Sequence, residues 1–166
     1  MKGGNEMTYI ETLGSNAVKV KKILAVADTG KKNSALAEIS RALIENSDKI
    51  IEANQKDLTA AKESGMSVSM QDRLMLNEDR IKGIASAVDE LIKLEDPIGK
   101  VDNGSVRPNG MRITKIRVPM GVIGMIYESR PNVTADAATL CLKTGNAVIL
   151  RGGKEAYNSN KCICEI

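Results

Sequence analysis

Two short loops hold the residues best suited to chemistry. The first, Tyr127-Glu128-Ser129-Arg130-Pro131-Asn132, follows one apolar run; the second, Arg151-Gly152-Gly153-Lys154, follows another. In the second loop two glycines let a backbone approach a ligand closely, and two cations beside them can face phosphate. The same four residues also read as a flexible turn with solvated charges. In the first loop Arg130 precedes a proline, which biases it toward an extended conformation. Asn132 stands where a helix begins. There it can cap the helix or aim an amide donor at a developing oxyanion.

The surrounding pattern predicts how these loops are held. Residues 121–127 are almost continuously apolar, as expected of a strand buried on both faces. A helix is expected over 133–143, stopped by Thr144-Gly145-Asn146 with Gly145 as its C-cap, and a second buried strand over 147–150. This is a βαβ unit whose two strands both end in polar loops. Ligands of open α/β sheets sit just beyond the carboxyl ends of the strands, so the segment points to a nucleotide-type ligand. Gly121 and Gly124 precede or lie within the first strand. No Gly-x-Gly-x-x-Gly loop joins strand to helix, so the usual dinucleotide fingerprint is absent.

The first hundred residues carry a helical period. Ile10, Leu13, Ala17, Val20, Leu24 and Ala27 form one apolar stripe over a helix expected at 6–27, which Thr29-Gly30 breaks. Asn33 or Ser34 can cap a second helix, and Ser47 or Asp48 a third that ends at Gly65. A short helical turn fits 69–76. Asn77 can cap a further helix with Glu78 and Asp79 in its first turn, where acidic groups favour the dipole. Residues 102–110 are rich in turn formers and read as a loop; residues 111–118 alternate like a strand.

Composition narrows the function classes. At 166 residues one domain can bury roughly 70% of its unfolded surface. Three Tyr and no Phe or Trp leave almost nothing for base stacking. The 24 basic and 21 acidic residues give a net charge of only +3 and are interspersed, which argues against DNA or RNA as a partner. The start has no apolar core of a signal peptide, and the longest apolar run, residues 118–127, is too short to span a bilayer. Three Cys make no disulfide framework, which fits a reducing cytoplasm. The absence of His removes His-based acid–base catalysis and His metal ligands. Cys141 falls among Ala and Leu on its helix and is expected to be buried. Cys162 and Cys164 read as incidental residues of a C-terminal tail, and the carboxylates as solvated helix partners of Lys and Arg.

The run VPMGVIGMIYESRPNVTADAATLCLKTGNAVILRGG resembles gamma-glutamyl phosphate reductase, also called glutamate-5-semialdehyde dehydrogenase, of the aldehyde dehydrogenase superfamily. YESRPNVT followed by CLKTGNAVILRGG is the most specific part, and NQKDLTAAKESGMSVSMQDRLMLNEDRI is similar too. The resemblance runs from about Met7 to Lys161; CICEI is less typical. It implies an α/β fold of the aldehyde dehydrogenase type: helices first, then the opening βαβ of a nucleotide-binding domain, truncated. Residues 1–6 would be a leader, 7–96 the helical region, 97–120 a loop with a strand or oligomerisation hairpin, and 121–166 the incomplete βαβ. The hairpin leaves room for a homo-oligomer.

The family's activity is the NADPH-dependent reduction of L-glutamyl 5-phosphate to glutamate 5-semialdehyde in proline biosynthesis, in the cytoplasm. By resemblance NADP(H) would lie across the ends of the two strands. Tyr127, Glu128, Ser129 and Arg130 would run beside it. Arg151, Gly152, Gly153 and Lys154 match the loop that holds the adenosine ribose and its phosphate, and a cation there suits a 2′-phosphate. Asn132 matches the oxyanion-stabilising Asn. The family's nucleophilic cysteine is not expected among Cys141, Cys162 and Cys164. The chain is therefore expected to be inactive alone. The alternatives are a non-catalytic nucleotide-binding or oligomerising fragment or paralogue, and the product of a premature stop.

Overall fold

A computed structural model describes residues 7–166; the leader expected at 1–6 lies outside the described residues. Five helices come first: α1 (Tyr9–Leu24), α2 (Thr29–Glu45), α3 (Ser47–Glu63), α4 (Val68–Leu74) and α5 (Glu78–Lys93). A hairpin of β1 (Val101–Val106) and β2 (Arg112–Ile116) follows. Then come β3 (Val122–Ile126), α6 (Asn132–Lys143), β4 (Ala147–Arg151), one 3₁₀ turn (Lys154–Ala156) and α7 (Tyr157–Glu165).

The helix starts are set by side-chain caps. Thr8 and Glu11 form a reciprocal capping box at α1, with the Thr8 N–H donating to Glu11 at 2.7 Å. At α2 the cap is Asp28, which accepts from the Lys31 N–H at 2.8 Å. The expected caps Asn33 and Ser34 lie inside the helix, and Thr29-Gly30 is its first turn, not a break. A carboxylate at the N-cap outweighs the small cost of glycine in a turn whose N–H groups have no helical partner in any case. Asn77 caps α5 as expected, accepting from Arg80 at 2.8 Å. Gly65 and Gly145 terminate α3 and α6 at φ of +72° and +68°, values that favour glycine.

The body is a helix pack. Leu43 of α2, Ile50 of α3, Ile81 and Ile84 of α5, Ala135 of α6 and Ile163 of α7 share one core. Leu36, Val88 and Leu91 extend it between α2 and α5. The terminal Cys-Ile-Cys is thus no loose tail: it sits on α7, with Ile163 buried and Cys162 packed against the core. The apolar stripe of α1 behaves differently. Only its Ala17 is buried, and Ile10 is 78% exposed, because the helix leans mainly on β4 and β3.

Polar bonds lock this body internally. Lys32 of α2 and Asp96 form a buried ion pair. Asp96 also accepts from the Thr29 hydroxyl at 2.8 Å and the Ile98 N–H at 3.0 Å. Buried Lys143 donates to Asn33 Oδ1 (2.8 Å) and the Ile92 carbonyl (3.1 Å), tying α6 to α2 and α5.

The hairpin corrects the sequence reading of 102–110 as a loop. Its first part is β1, antiparallel to β2, with Ser105 opposite Ile113 and Val106 opposite Arg112. Residues 107–110 form the turn, closed by the Gly110 N–H on the Arg107 carbonyl at 2.9 Å. VDNGSV has little strand propensity of its own; the ladder to β2 recruits it. Every residue of both strands is exposed.

β3 and β4 pair in parallel, Val122 opposite Ala147 through Ile126 opposite Arg151, with α6 as the crossover. The expectation that residues 121–127 are buried on both faces is not met. β3 alternates between exposed and half-buried, and Ile126 is 84% exposed. A run this apolar suits a central strand, but the described sheet has two strands, so β3 keeps an open edge.

Candidate functional site

Both loops singled out in the sequence meet at the carboxyl end of the β3–β4 pair. The Tyr127 N–H donates to the Arg151 carbonyl at 3.1 Å, carrying the pairing one step past the strands. The Tyr127 hydroxyl lies 2.6 Å from that of Thr134, which donates to Asn160 Oδ1 at 3.0 Å. Burial pushes the Tyr127 phenol up, with the Thr134 hydrogen bond pulling it down. Gly152 packs under this chain, where a Cβ would collide with the Asn160 amide and press on the Tyr127 ring.

A second contact joins the loops on their other side. The Ser129 N–H and hydroxyl both donate to Glu155 Oε1, at 2.7 and 2.8 Å. Ser129 is buried and takes φ of +41°, the one positive φ outside glycine among the described residues. Burial works to raise the pKa of the Glu155 carboxyl. The hydrogen bonds from its own N–H and from Ser129, with the Lys154 charge, outweigh it and hold the carboxyl below its usual range.

The expected cofactor residues therefore line two clefts. Tyr127, Arg151, Gly152 and Gly153 border one of about 740 Å³ with Tyr9, Leu13 and Asn160. Glu128, Ser129, Gly153 and Lys154 border another of about 570 Å³ against α3 and α4. Arg130 is exposed and lines neither. Arg151 donates to the Gly152 carbonyl at 2.6 Å, and Lys154 is exposed on the far side of the turn. The two cations diverge.

Asn132 stands apart. It is the first residue of α6, Pro131 takes the N-cap position, and no side chain caps the helix. The Asn132 amide donates to Asp136 Oδ2 at 3.1 Å, and burial pushes the Asp136 carboxyl up. The pair lines a third cleft with Arg73, Arg80 and Leu76. The three thiols offer no activated nucleophile: burial raises Cys141, Cys162 and Cys164 alike, opposite to what thiolate chemistry needs.

Sequence reasoning missed the polar residues that anchor this end. Asp57 is buried on α3, not solvated. Its Oδ1 accepts from the Asn158 N–H (3.1 Å) and amide (2.7 Å), and its Oδ2 from the Ser159 N–H (2.8 Å) and hydroxyl (2.6 Å). It caps α7 from outside and favours the positive end of that dipole. Asn54, one turn earlier, accepts from the Leu76 N–H at 2.7 Å and donates to the Leu74 carbonyl at 2.8 Å. Their signal was present. Asn54 and Asp57 fall on the same face as Ile50, Leu58 and Ala61, and a polar residue on a buried stripe needs a partner.

A parallel pair with a crossover helix brings both loops to the carboxyl end, where open α/β sheets bind ligands. The chain shares its fold with an aldehyde dehydrogenase-type protein of Bacillus subtilis, with a TM-score of 0.69 at 21% identity over 94% of this chain and 32% of that one. No protein-family model matches the chain. Two more similar proteins are gamma-glutamyl phosphate reductases. A gamma-glutamyl phosphate reductase of Clostridium perfringens is 58% identical over 153 residues, 92% of this chain and 37% of the relative. The crystal structure of the Thermotoga maritima gamma-glutamyl phosphate reductase superposes with a TM-score of 0.91 at 44% identity, over 93% of this chain and 37% of that one. The resemblance to gamma-glutamyl phosphate reductase thus holds over nearly the whole chain, which spans just over a third of the length of these relatives.

Proposed function

We propose that this chain supplies part of the cofactor site of an NADPH-dependent gamma-glutamyl phosphate reductase, which reduces L-glutamyl 5-phosphate to glutamate 5-semialdehyde in the cytoplasm. The observation that carries the reading is the meeting of Tyr127 and Arg151-Gly152-Gly153 around one cleft at the strand ends. The residues present fit a dinucleotide. Gly152 leaves its backbone bare beside the cleft, where a side chain would strike Asn160. The Arg151 guanidinium stands exposed at the rim, able to pair with a phosphate oxygen.

When bound, the nicotinamide supplies the hydride. Arg151 would hold the adenosine phosphate, while Lys154 borders the other cleft and is not assigned to that phosphate. Tyr127, fixed by Thr134, walls the cleft and keeps its hydroxyl off the ligand. Asn132 can serve an oxyanion only by turning its amide away from Asp136. The attacking thiolate is not assigned to this chain, since burial raises all three of its thiols.

Calorimetry of NADPH and NADH on the full chain, with Arg151→Ala beside it, tests the reading. Binding that prefers NADPH and weakens at least tenfold in the variant supports it, since one charge-assisted phosphate contact is worth about 1.5–3 kcal/mol. No binding to a folded chain removes it. A second reading, an oligomerising element, is favoured by the wholly exposed β1–β2 hairpin with Val101, Val106, Ile113 and Ile116 at its surface. Sedimentation of the chain over a concentration series separates the two.

A further inference from the structure

We infer that Glu155 is a positioning residue, whose carboxylate clasps Ser129 and so fixes the two strand-end loops in the shape a nucleotide needs. The inference rests on the cofactor reading above. Ser129 pays for a left-handed backbone that L side chains avoid. Only the surrounding structure can hold it there, and among the described residues the one side chain bonded to it is Glu155. One oxygen takes both Ser129 donors, and charge-assisted bonds of this kind are the strong ones. The carboxylate reaches Ser129 by folding back over Gly153, where a Cβ would collide with it. Gly153 thus has a reason independent of any ligand: it clears the path of the clasp.

The clasp also has a direction. Ser129 belongs to the loop after β3, and Glu155 follows the loop after β4. The Tyr127–Thr134–Asn160 chain joins the same loops on the opposite side. Between the two ties lie Gly152 and Gly153, the backbone that a pyrophosphate would approach. With Glu155 gone, Ser129 is free to relax to a negative φ, and the chain from Glu128 to Pro131 must move with it. The second tie then fixes only one edge of the cleft.

The test is a rescue. NADPH affinity is measured by calorimetry on the full chain and on Glu155→Ala, Ser129→Gly and the double variant, with Ser129 amide exchange followed in each. Glu155→Ala should weaken binding about tenfold or more, the scale of one unfavourable backbone conformation. It should also deprotect the Ser129 amide. Glycine adopts the left-handed conformation without that cost, so the double variant should recover to within about threefold of the parent. A merely structural role for Glu155 would give no such recovery. Gly153→Ala, which pushes the carboxylate aside without removing it, should weaken binding in the same way if Glu155→Ala does not fold. Parent binding that Glu155→Ala leaves unchanged, or a loss that Ser129→Gly does not mend, overturns the positioning role alone. A folded parent chain that binds no NADPH overturns the cofactor reading and this role with it.

Discussion

The helical body and the β1–β2 hairpin come from one chain but are built on opposite terms. In the body, apolar side chains of α2, α3, α5, α6 and α7 interlock, and its buried polar groups answer one another within the chain. No buried side-chain nitrogen or oxygen among the described residues lacks a hydrogen bond. The hairpin buries none of its strand residues. Its backbone ladder and the Arg117–Asp102 ion pair at 2.8 Å hold it together, and two isolated strands are marginal in water. The difference teaches where each region spends its sequence: the body on closure, the hairpin on a backbone ladder that buries no side chain of its strands.

The largest effect should come from breaking the body's ion pair. Asp96→Asn leaves the Lys32 ammonium buried without its counter-charge, a change that costs about 3–5 kcal/mol, read as a lower urea midpoint. Acid should do the same to the parent. Burial raises the Asp96 carboxyl, but bonds from Lys32, Ile98 and Thr29 outweigh this and set it below its ordinary value. A group with a lowered folded pKa contributes stability above its unfolded value and loses it as pH falls through the folded one. The parent should therefore lose stability below about pH 4, and Asp96→Asn should lose less over that range.

Asp57→Ala comes next. It strips the start of α7 of its cap and leaves buried N–H groups unpaired, at about 1–3 kcal/mol for each group left without water. Amide exchange should show α7 opening before α2 and α5; uniform protection would mean the cap is dispensable. The smallest effect on stability, and the sharpest test of the comparison, is Ile113→Lys with Ile116→Lys on the hairpin. Exposed positions of this kind change stability by about 0.5 kcal/mol or less, so the urea midpoint should stay put while self-association in sedimentation falls. A large loss of stability would show that the hairpin belongs to the body after all.

Much of the body was legible because its signals are local. Asn77 with two acidic residues behind it, Gly65 and Gly145 after helical stripes, and the switch to apolar runs near residue 121 are each read within a few positions. The cap of α2 was misread locally, since Asp28 three residues before Lys31 takes that role; other misreadings have a tertiary cause. The Cys-Ile-Cys segment became a core-packed helix and Asp57 a buried cap because of partners far away in sequence, while Asp102 to Val106 became a strand through the adjacent arm of its own hairpin. The failed expectation for β3 is the mirror image: its sequence calls for neighbours on both faces, and the described chain supplies one strand.

The candidate site divides along the same line. The sequence by itself determined that two polar loops follow two apolar strands around one helix, since hydrophobic period and glycine placement are properties of adjacent residues. It determined the family likeness as well, since that is carried in the order of residues. Only the tertiary structure decided that Arg151 and Lys154 face different clefts and that Glu155 reaches across to Ser129. The Asn132 contact with Asp136 lies within one turn of α6, but the directions of Arg151, Lys154 and Glu155 depend on how the 3₁₀ turn and α7 seat on α3 through Asp57.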